Sequence, residues 1–155
     1  MRTLAIDPGS KRIGLAISDA GGQWATPLEV IVVNDPVLAI PSIIQVVRRE
    51  GVERIVIGFP LNMDDTLGPQ AQKVIAWSKQ LIESMRSLVP SHRVIFVDER
   101  LSSFEADQRL IDLKRSGAKL TRQQKKNRID AVSAAGFLQA FLDGKLPPLP
   151  IALQV

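Results

Sequence analysis

Thr3-Leu4-Ala5-Ile6-Asp7-Pro8-Gly9 is a short apolar run that ends in a turn dipeptide, and the way the chain continues from it decides the fold. Ile13 to Ser18 resumes the apolar character and stops at Asp19-Ala20-Gly21-Gly22. Leu28 to Val33 is a third run, rich in β-branched residues. Connections this short join antiparallel neighbours, so residues 3–33 read as a three-stranded meander.

Beyond Val33 the period changes. Ile43, Ile44 and Val47 fall at helical spacing, with Pro41 suited to a first turn and Gly51 to the stop. Pro36 leaves open whether that helix begins earlier with a kink. Arg54 to Phe59 is apolar on both faces, as a central strand in a covered sheet must be. Pro69 opens an amphipathic helix whose stripe is Val74, Trp77, Ser78, Leu81, Ile82 and Met85. Arg93 to Val97 is a further buried-type strand, followed by Asp98-Glu99. Ser102 and Glu105 have capping-box spacing and start a helix that Gly117 closes. A last helix is expected from Thr121 to Leu142, and the Pro-rich residues 145–155 read as a terminal extension. The order β-β-β-α-β-α-β-α-α predicts one α/β domain over residues 1–155. Its mixed five-stranded sheet, an antiparallel meander plus βαβ units, is flanked by helices on both faces.

Composition narrows the chemistry. The chain has 155 residues, 20 Lys+Arg against 16 Asp+Glu, no Cys and the single His92. Disulfides, thiol nucleophiles and Cys-ligated metals are excluded, and a Ser-His-Asp triad has one His to draw on, which reads as an exposed turn residue. A bound metal would be a hard cation on carboxylate oxygens. No signal-peptide pattern and no membrane-length apolar run is present, so a soluble, cytoplasmic protein is expected. A sequence pI near 9.8 points to a polyanionic partner if the basic residues cluster.

Three acids stand at element ends. Asp7 ends the first strand, Glu99 follows the last, and Asp130 sits in Ile129-Asp130-Ala131-Val132-Ser133-Ala134-Ala135-Gly136, a helical stretch of small and apolar residues that suits close packing on a sheet. Two-metal phosphodiester hydrolysis uses such a set: Mg²⁺ or Mn²⁺ takes carboxylates, water and phosphate oxygens, and no His, Cys or organic cofactor is needed. Each acid also has an ordinary reading: Asp before Pro-Gly is a common turn residue, Asp98 or Glu99 pairs with Arg100, and a helical Asp faces solvent. Asp98 competes with Glu99 for the second position. If Val97 points into a helix layer, alternation puts the two acids on opposite sides.

Basic residues gather nearby. Lys114 to Arg128 contains Lys119, Arg122, Lys125, Lys126 and Arg128, with no Asp or Glu, immediately before Asp130. Such a block before a helix start opposes the helix dipole, so helix stability does not explain it. Lys and Arg contacts to phosphates do. Lys11 and Arg12 follow Asp7 in the first turn, while Asn62 and Asp64 lie in the loop after the central strand, where ligands gather in α/β sheets. The chain has no Tyr, and Trp24, Trp77 and Phe59 are expected in the core, so backbone and shape recognition is favoured over base stacking.

Taken together, these residues resemble the YqgF family of pre-16S ribosomal RNA nucleases, also described as Holliday-junction-resolvase-like. The resemblance rests on Ile6-Asp7-Pro8-Gly9-Ser10-Lys11-Arg12-Ile13-Gly14-Leu15-Ala16, Gly58 to Asp64, Gly68-Pro69-Gln70-Ala71, Val97 to Ser103 and Ile129 to Gln139. It implies an RNase H-like fold and a nuclease site carried over to Asp7, Glu99 and Asp130, with Mg²⁺ or Mn²⁺ as cofactor. Lys11, Arg12, Asn62, Arg100, Lys119, Arg122, Lys125, Lys126 and Arg128 are the candidate nucleic-acid contacts. The implied partners are structured RNA or branched DNA and ribosomal precursor particles, with the chain a monomer or homodimer and no membrane partner. Two positions depart from the family pattern: Asp65 follows Asp64 where Gly is usual, and Ser133 stands three after Asp130 where Ala is usual. The rival readings are a non-catalytic RNA-binding assembly factor and a phosphotransfer module. The latter is suggested because Asp-Pro-Gly also resembles the phosphate loop of actin-like ATPases, a fold that needs two such domains.

Overall fold

The structure, a computed structural model, describes residues 1–101 and 122–151, with residues 101 and 122–128 as backbone only. Five strands form one sheet in the order β3-β2-β1-β4-β5: β1 (Thr3–Pro8), β2 (Arg12–Ser18), β3 (Ala25–Val32), β4 (Arg54–Phe59) and β5 (Val94–Asp98). β1–β2 and β2–β3 are antiparallel, and β1–β4 and β4–β5 are parallel. This is the expected meander continued by βαβ units. β3 begins three residues before the expected Leu28 and includes Pro27. An outer strand tolerates a residue that cannot donate to a ladder.

Alternation along the strands divides the molecule into two layers. On one face Leu4, Ile6, Ile55, Ile57 and Phe59 pack against α1 (Ile40–Glu50) and α2 (Pro69–Ser84). The stripe of α2 is buried as its spacing predicts, from Val74 through Met85. Gly51 closes α1 with φ 63°, the left-handed conformation that favours a residue without Cβ. Pro36 belongs to a separate 3-10 turn, Pro36–Ala39, capped by Asp35, so α1 is preceded by a distinct element.

The opposite face is built for close approach. Ala5 and Ala16, paired in register, meet α3 (Arg122–Leu142) through Ala134, Ala135, Phe137 and Leu138. Gln139 fixes the far end of α3 to the sheet, accepting from the Ala25 N–H (2.9 Å) and donating to the Gln23 carbonyl (3.0 Å). The tail is more than an extension. Leu146 is buried in this second core, and the Leu149 N–H donates to the Phe96 carbonyl (2.7 Å), covering part of the β5 edge.

One aromatic expectation fails. Phe59 and Trp77 are buried, but Trp24 is 67% exposed. It sits past the turn where the Asp19 carboxylate accepts from the Gln23 and Trp24 N–H groups, a geometry that fixes the backbone and leaves the indole outside. His92 lies exposed in a 3-10 turn, as expected. Among the described residues no helix is long and apolar enough to cross a membrane. The helix expected over Ser102 to Gly117 lies outside the described residues.

Candidate active site

Asp7 is the penultimate residue of β1, and alternation turns its side chain to the α3 face, the side of Ala5. Across the antiparallel ladder it is paired with Gly14. A methyl on Gly14 would collide with the backbone carbonyl of Asp130, so the missing side chain is what allows α3 to settle with Asp130 over the β1–β2 pair. Glu99 arrives from the other direction. β5 runs parallel to β4, Val97 is buried on the α3 side, and Glu99 follows in a 3-10 turn (Glu99–Leu101) on that same side. Gly58 on β4 leaves the passage open: a Cβ there would lie 3.1 Å from Glu99 Oε2 and 2.9 Å from Phe137 Cε1.

Glu99 and Asp7 are hydrogen-bonded to each other. Burial raises the Glu99 carboxyl to about 8, and the neighbouring Asp7 charge and the bond to Asp7 push it the same way. Burial also raises Asp7, to about 6, while the bonds from Glu99 and from Ser133 hold it down and the Asp130 charge adds to the rise. The pair therefore holds a proton near neutral pH, with Glu99 the donor and Asp7 the acceptor. Asp130, half-buried, is raised by burial, and the nearby Arg12 guanidinium opposes the rise. Two carboxyls are thus in contact and the third is within electrostatic reach, although among the described residues no three acids are gathered as a preformed ion cage. The donors suit a hard divalent cation: oxygen only, mutually repulsive and partly shielded from water, so that a cation could replace the shared proton.

Asp98 takes a different role. Alternation puts it on the other side of β5 from Glu99, and its hydrogen bonds with Arg100 lower its carboxyl. Arg100 Nε donates to Asp98 Oδ1 (2.9 Å), one terminal nitrogen to Asp98 Oδ2 and Asp65 Oδ1 (2.6 Å each), and the other to the Asn62 carbonyl (2.8 Å). The guanidinium expected to contact nucleic acid is occupied with tying the loop after β4 to the end of β5. That loop is a tight turn closed by Asp65 N–H to Asn62 carbonyl (2.9 Å) and Asn62 N–H to Thr66 carbonyl (3.0 Å). Asp65 adopts φ 66°, which explains why Gly suits this position. Here the ion pair with Arg100 anchors the Asp that replaces it.

Lys11 is exposed in the turn after β1, and Arg12, half-buried at the start of β2, lies near Asp130. Asn62 is exposed, and its amide donates to Thr66 Oγ1 (3.0 Å). Lys119 lies outside the described residues, as do the side chains of Arg122, Lys125, Lys126 and Arg128. Sequence reasoning did not assign a role to Ser133, whose signal was its place one turn after Asp130 on the same helix face. Gly14 and Gly58 are motif residues whose purpose is visible only once α3 is in place.

Comparison with known proteins gives the family and the fold. The family model described as "RuvX: Holliday junction resolvase" matches residues 1–144. Proteins named "Putative pre-16S rRNA nuclease" are similar along nearly their whole length. The one from Caldanaerobacter subterraneus subsp. tengcongensis is 37% identical over 94% of this chain and 98% of its own, and that from Chloroflexus aurantiacus 40% identical over 92% and 86%. Among solved structures, T. thermophilus RuvC in complex with a Holliday junction substrate superposes with a TM-score of 0.56 at 18% identity, covering 96% of this chain and 99% of that one. The fowlpox virus resolvase in complex with Holliday junction DNA superposes at 0.54 and 14% identity, covering 93% and 98%. These likenesses give the fold, the RNase H-like one.

Proposed function

The chain belongs to the RuvX family of Holliday junction resolvases, and from that premise we propose that it is a metal-dependent nuclease acting on structured RNA. The substrate we assign is the 16S ribosomal RNA precursor, for which its relatives are named, and within it the 5′ region. The observation that carries this reading is the Asp7–Glu99 pair at the strand ends with Asp130 of α3 beside it, three carboxyls on the α3 side of the sheet.

Asp7, Glu99 and Asp130 are the residues that would hold Mg²⁺ or Mn²⁺. Bound there, the ions would activate water and neutralise charge on the scissile phosphate. The chain's own groups prepare the site. Ser133 keeps the Asp7 carboxylate ionised and oriented, and Glu99 holds the proton that a cation would displace. Arg12 tempers the Asp130 charge, and with Lys11 it lies where a phosphate approaching Asp7 would pass. Arg100 acts as a positioning residue for the Asn62–Thr66 turn. Lys119, Arg122, Lys125, Lys126 and Arg128 are assigned to the flanking phosphates, where their contribution would be independent of sequence and weakened by salt. We place the protein in the cytoplasm, among ribosomal precursor particles.

Four-way DNA junctions are the second reading, favoured by the description of the family itself. Matched substrates decide between them. A precursor RNA carrying the 16S 5′ end and a four-way DNA junction, each incubated with Mn²⁺, should show cleavage of the RNA and little of the junction. Preferential junction cutting by a stable dimer would support the resolvase reading. Tight RNA binding without cleavage would support an assembly factor.

A further inference from the structure

A pocket of ≈ 170 Å³ lies on the face of β1 opposite the three acids. Its walls are Pro8, Pro36, Val74 and Trp77, and Gln70 and Lys73 stand at its rim. Pro8 immediately follows Asp7, so one peptide unit separates the pocket from the carboxyl cluster, with alternation sending the two to opposite sides. It sits beyond the carboxyl end of β1, between the turn that follows that strand, Pro36 and the first turns of α2. β1 neighbours β4, and the chain leaves β1 toward β2 and β4 toward β5, so this strand end adjoins the reversal of strand order near which α/β sheets bind ligands.

The lining chemistry specifies the occupant. Trp77 uses its one donor on the Pro36 carbonyl (2.9 Å), which locks the indole and leaves an apolar surface in the wall. Proline rings line the same cavity, giving it flat, apolar sides. At the mouth the Gln70 amide can donate and accept, and Lys73 and the exposed Ser10 can meet ribose or phosphate oxygens. Flat apolar walls with a donor-acceptor edge and a cation outside suit a nucleobase more than a phosphate or an alkyl chain.

We infer that this pocket receives one unpaired nucleobase of the substrate strand, next to the phosphate held at Asp7. The inference rests on the nuclease reading and deepens it. The enzyme would select sites where a base is already unstacked, because drawing a base from a duplex has an energetic cost that a bulge or a strand junction avoids.

Trp77 reports occupancy directly. In a Trp24→Phe background it is the sole tryptophan, and its emission can be followed without metal and without cleavage. The probes are two RNA hairpins that differ at one site, an unpaired purine or an abasic residue. The purine hairpin should quench Trp77 and bind about tenfold more tightly than the abasic one. Gln70→Phe, at an exposed rim position, should fill the mouth and remove that difference. Equal affinity for the two hairpins with no quenching would overturn the pocket assignment and leave the nuclease reading standing. Failure of both hairpins to bind, with folding verified by circular dichroism, would overturn both.

Discussion

The backbone carbonyl of Asp130 rests over Gly14, the residue paired with Asp7 across the β1–β2 ladder. A helix and a strand end that are distant in sequence are brought together because one position on the sheet has no side chain. The third acid owes its place to this contact.

Gly14→Ala should therefore displace α3 at Asp130. Overpacking of a tight interface costs about 1–3 kcal/mol, and nuclease activity should fall further than stability, because Asp130 moves relative to Asp7. Gly21→Ala is the control: only the Asp19 side chain, 3.3 Å from the added Cβ, has to give by a few tenths of an ångström, so stability should fall at most slightly and cleavage should hold. Thermal melts and cleavage assays on the two variants check this.

The shared proton has a thermodynamic signature. Both Asp7 and Glu99 are raised in the folded protein, so the native state binds more protons than the unfolded chain as pH rises above the ordinary carboxylate range. Their contribution to metal-free stability is greatest in acid and is lost as pH climbs through about 6 and about 8. Glu99→Gln removes the second of these losses. Its melting temperature relative to the parent should rise with pH through this window, and a pH-independent difference would contradict the shared-proton geometry. Divalent cations should bind more tightly, and release fewer protons, above about 8 than below it.

Ser133→Ala should raise the Asp7 carboxyl further, since one bond holding it down is lost. A hydrogen bond of this kind contributes about 1 kcal/mol, so cleavage should drop roughly two- to tenfold. The pH profile should shift upward with it. Ser133→Thr, which keeps the hydroxyl, should restore both, and Ser133→Ala cleaving like the parent would show that the bond has no role.

Much of this was legible in the sequence. The meander, the covered central strand at Arg54–Phe59 and the stripe of α2 follow from periodicity alone, since burial on one or two faces dictates where apolar residues recur. That Glu99, and not Asp98, lies on the α3 side also follows from alternation, once Val97 is known to face α3. What could not be read were relationships set by tertiary contact. The pairing of Arg100 with Asp98 was open to a local reading, but its bonds to Asp65 and to the Asn62 carbonyl, far from it in sequence, were not. Trp24 looked like core because nothing local reveals that its turn ends outside the sheet. The Pro-rich tail hid Leu146 and Leu149, which find the second core and the β5 edge only after the fold has formed.

Arg100→Ala should loosen the Asn62–Thr66 turn and leave Asp98 without its charged partner, with a larger loss of melting temperature than Asp65→Gly. Asp65→Gly removes an exposed ion pair, which contributes little, and relieves a left-handed residue, so its stability should match or exceed the parent's. Calorimetry of the two variants side by side gives the order. The reverse order would show that the ion pair, and not the arginine's bonds to Asp98 and Asn62, holds the turn.

The central claim is that the Asp7–Glu99–Asp130 face hydrolyses phosphodiester bonds with bound divalent ions, and Asp7→Asn tests it most directly. The substitution keeps the shape and a neutral oxygen while removing one ligand charge. Single-turnover cleavage of a structured precursor RNA in Mn²⁺ should fall at least about 10²-fold. RNA binding without metal should hold or tighten, and the melting temperature should hold or rise as one of three crowded carboxyls is neutralised. An Asp7→Asn protein that cuts as fast as the parent, or a parent that cuts equally well in EDTA, would contradict the account.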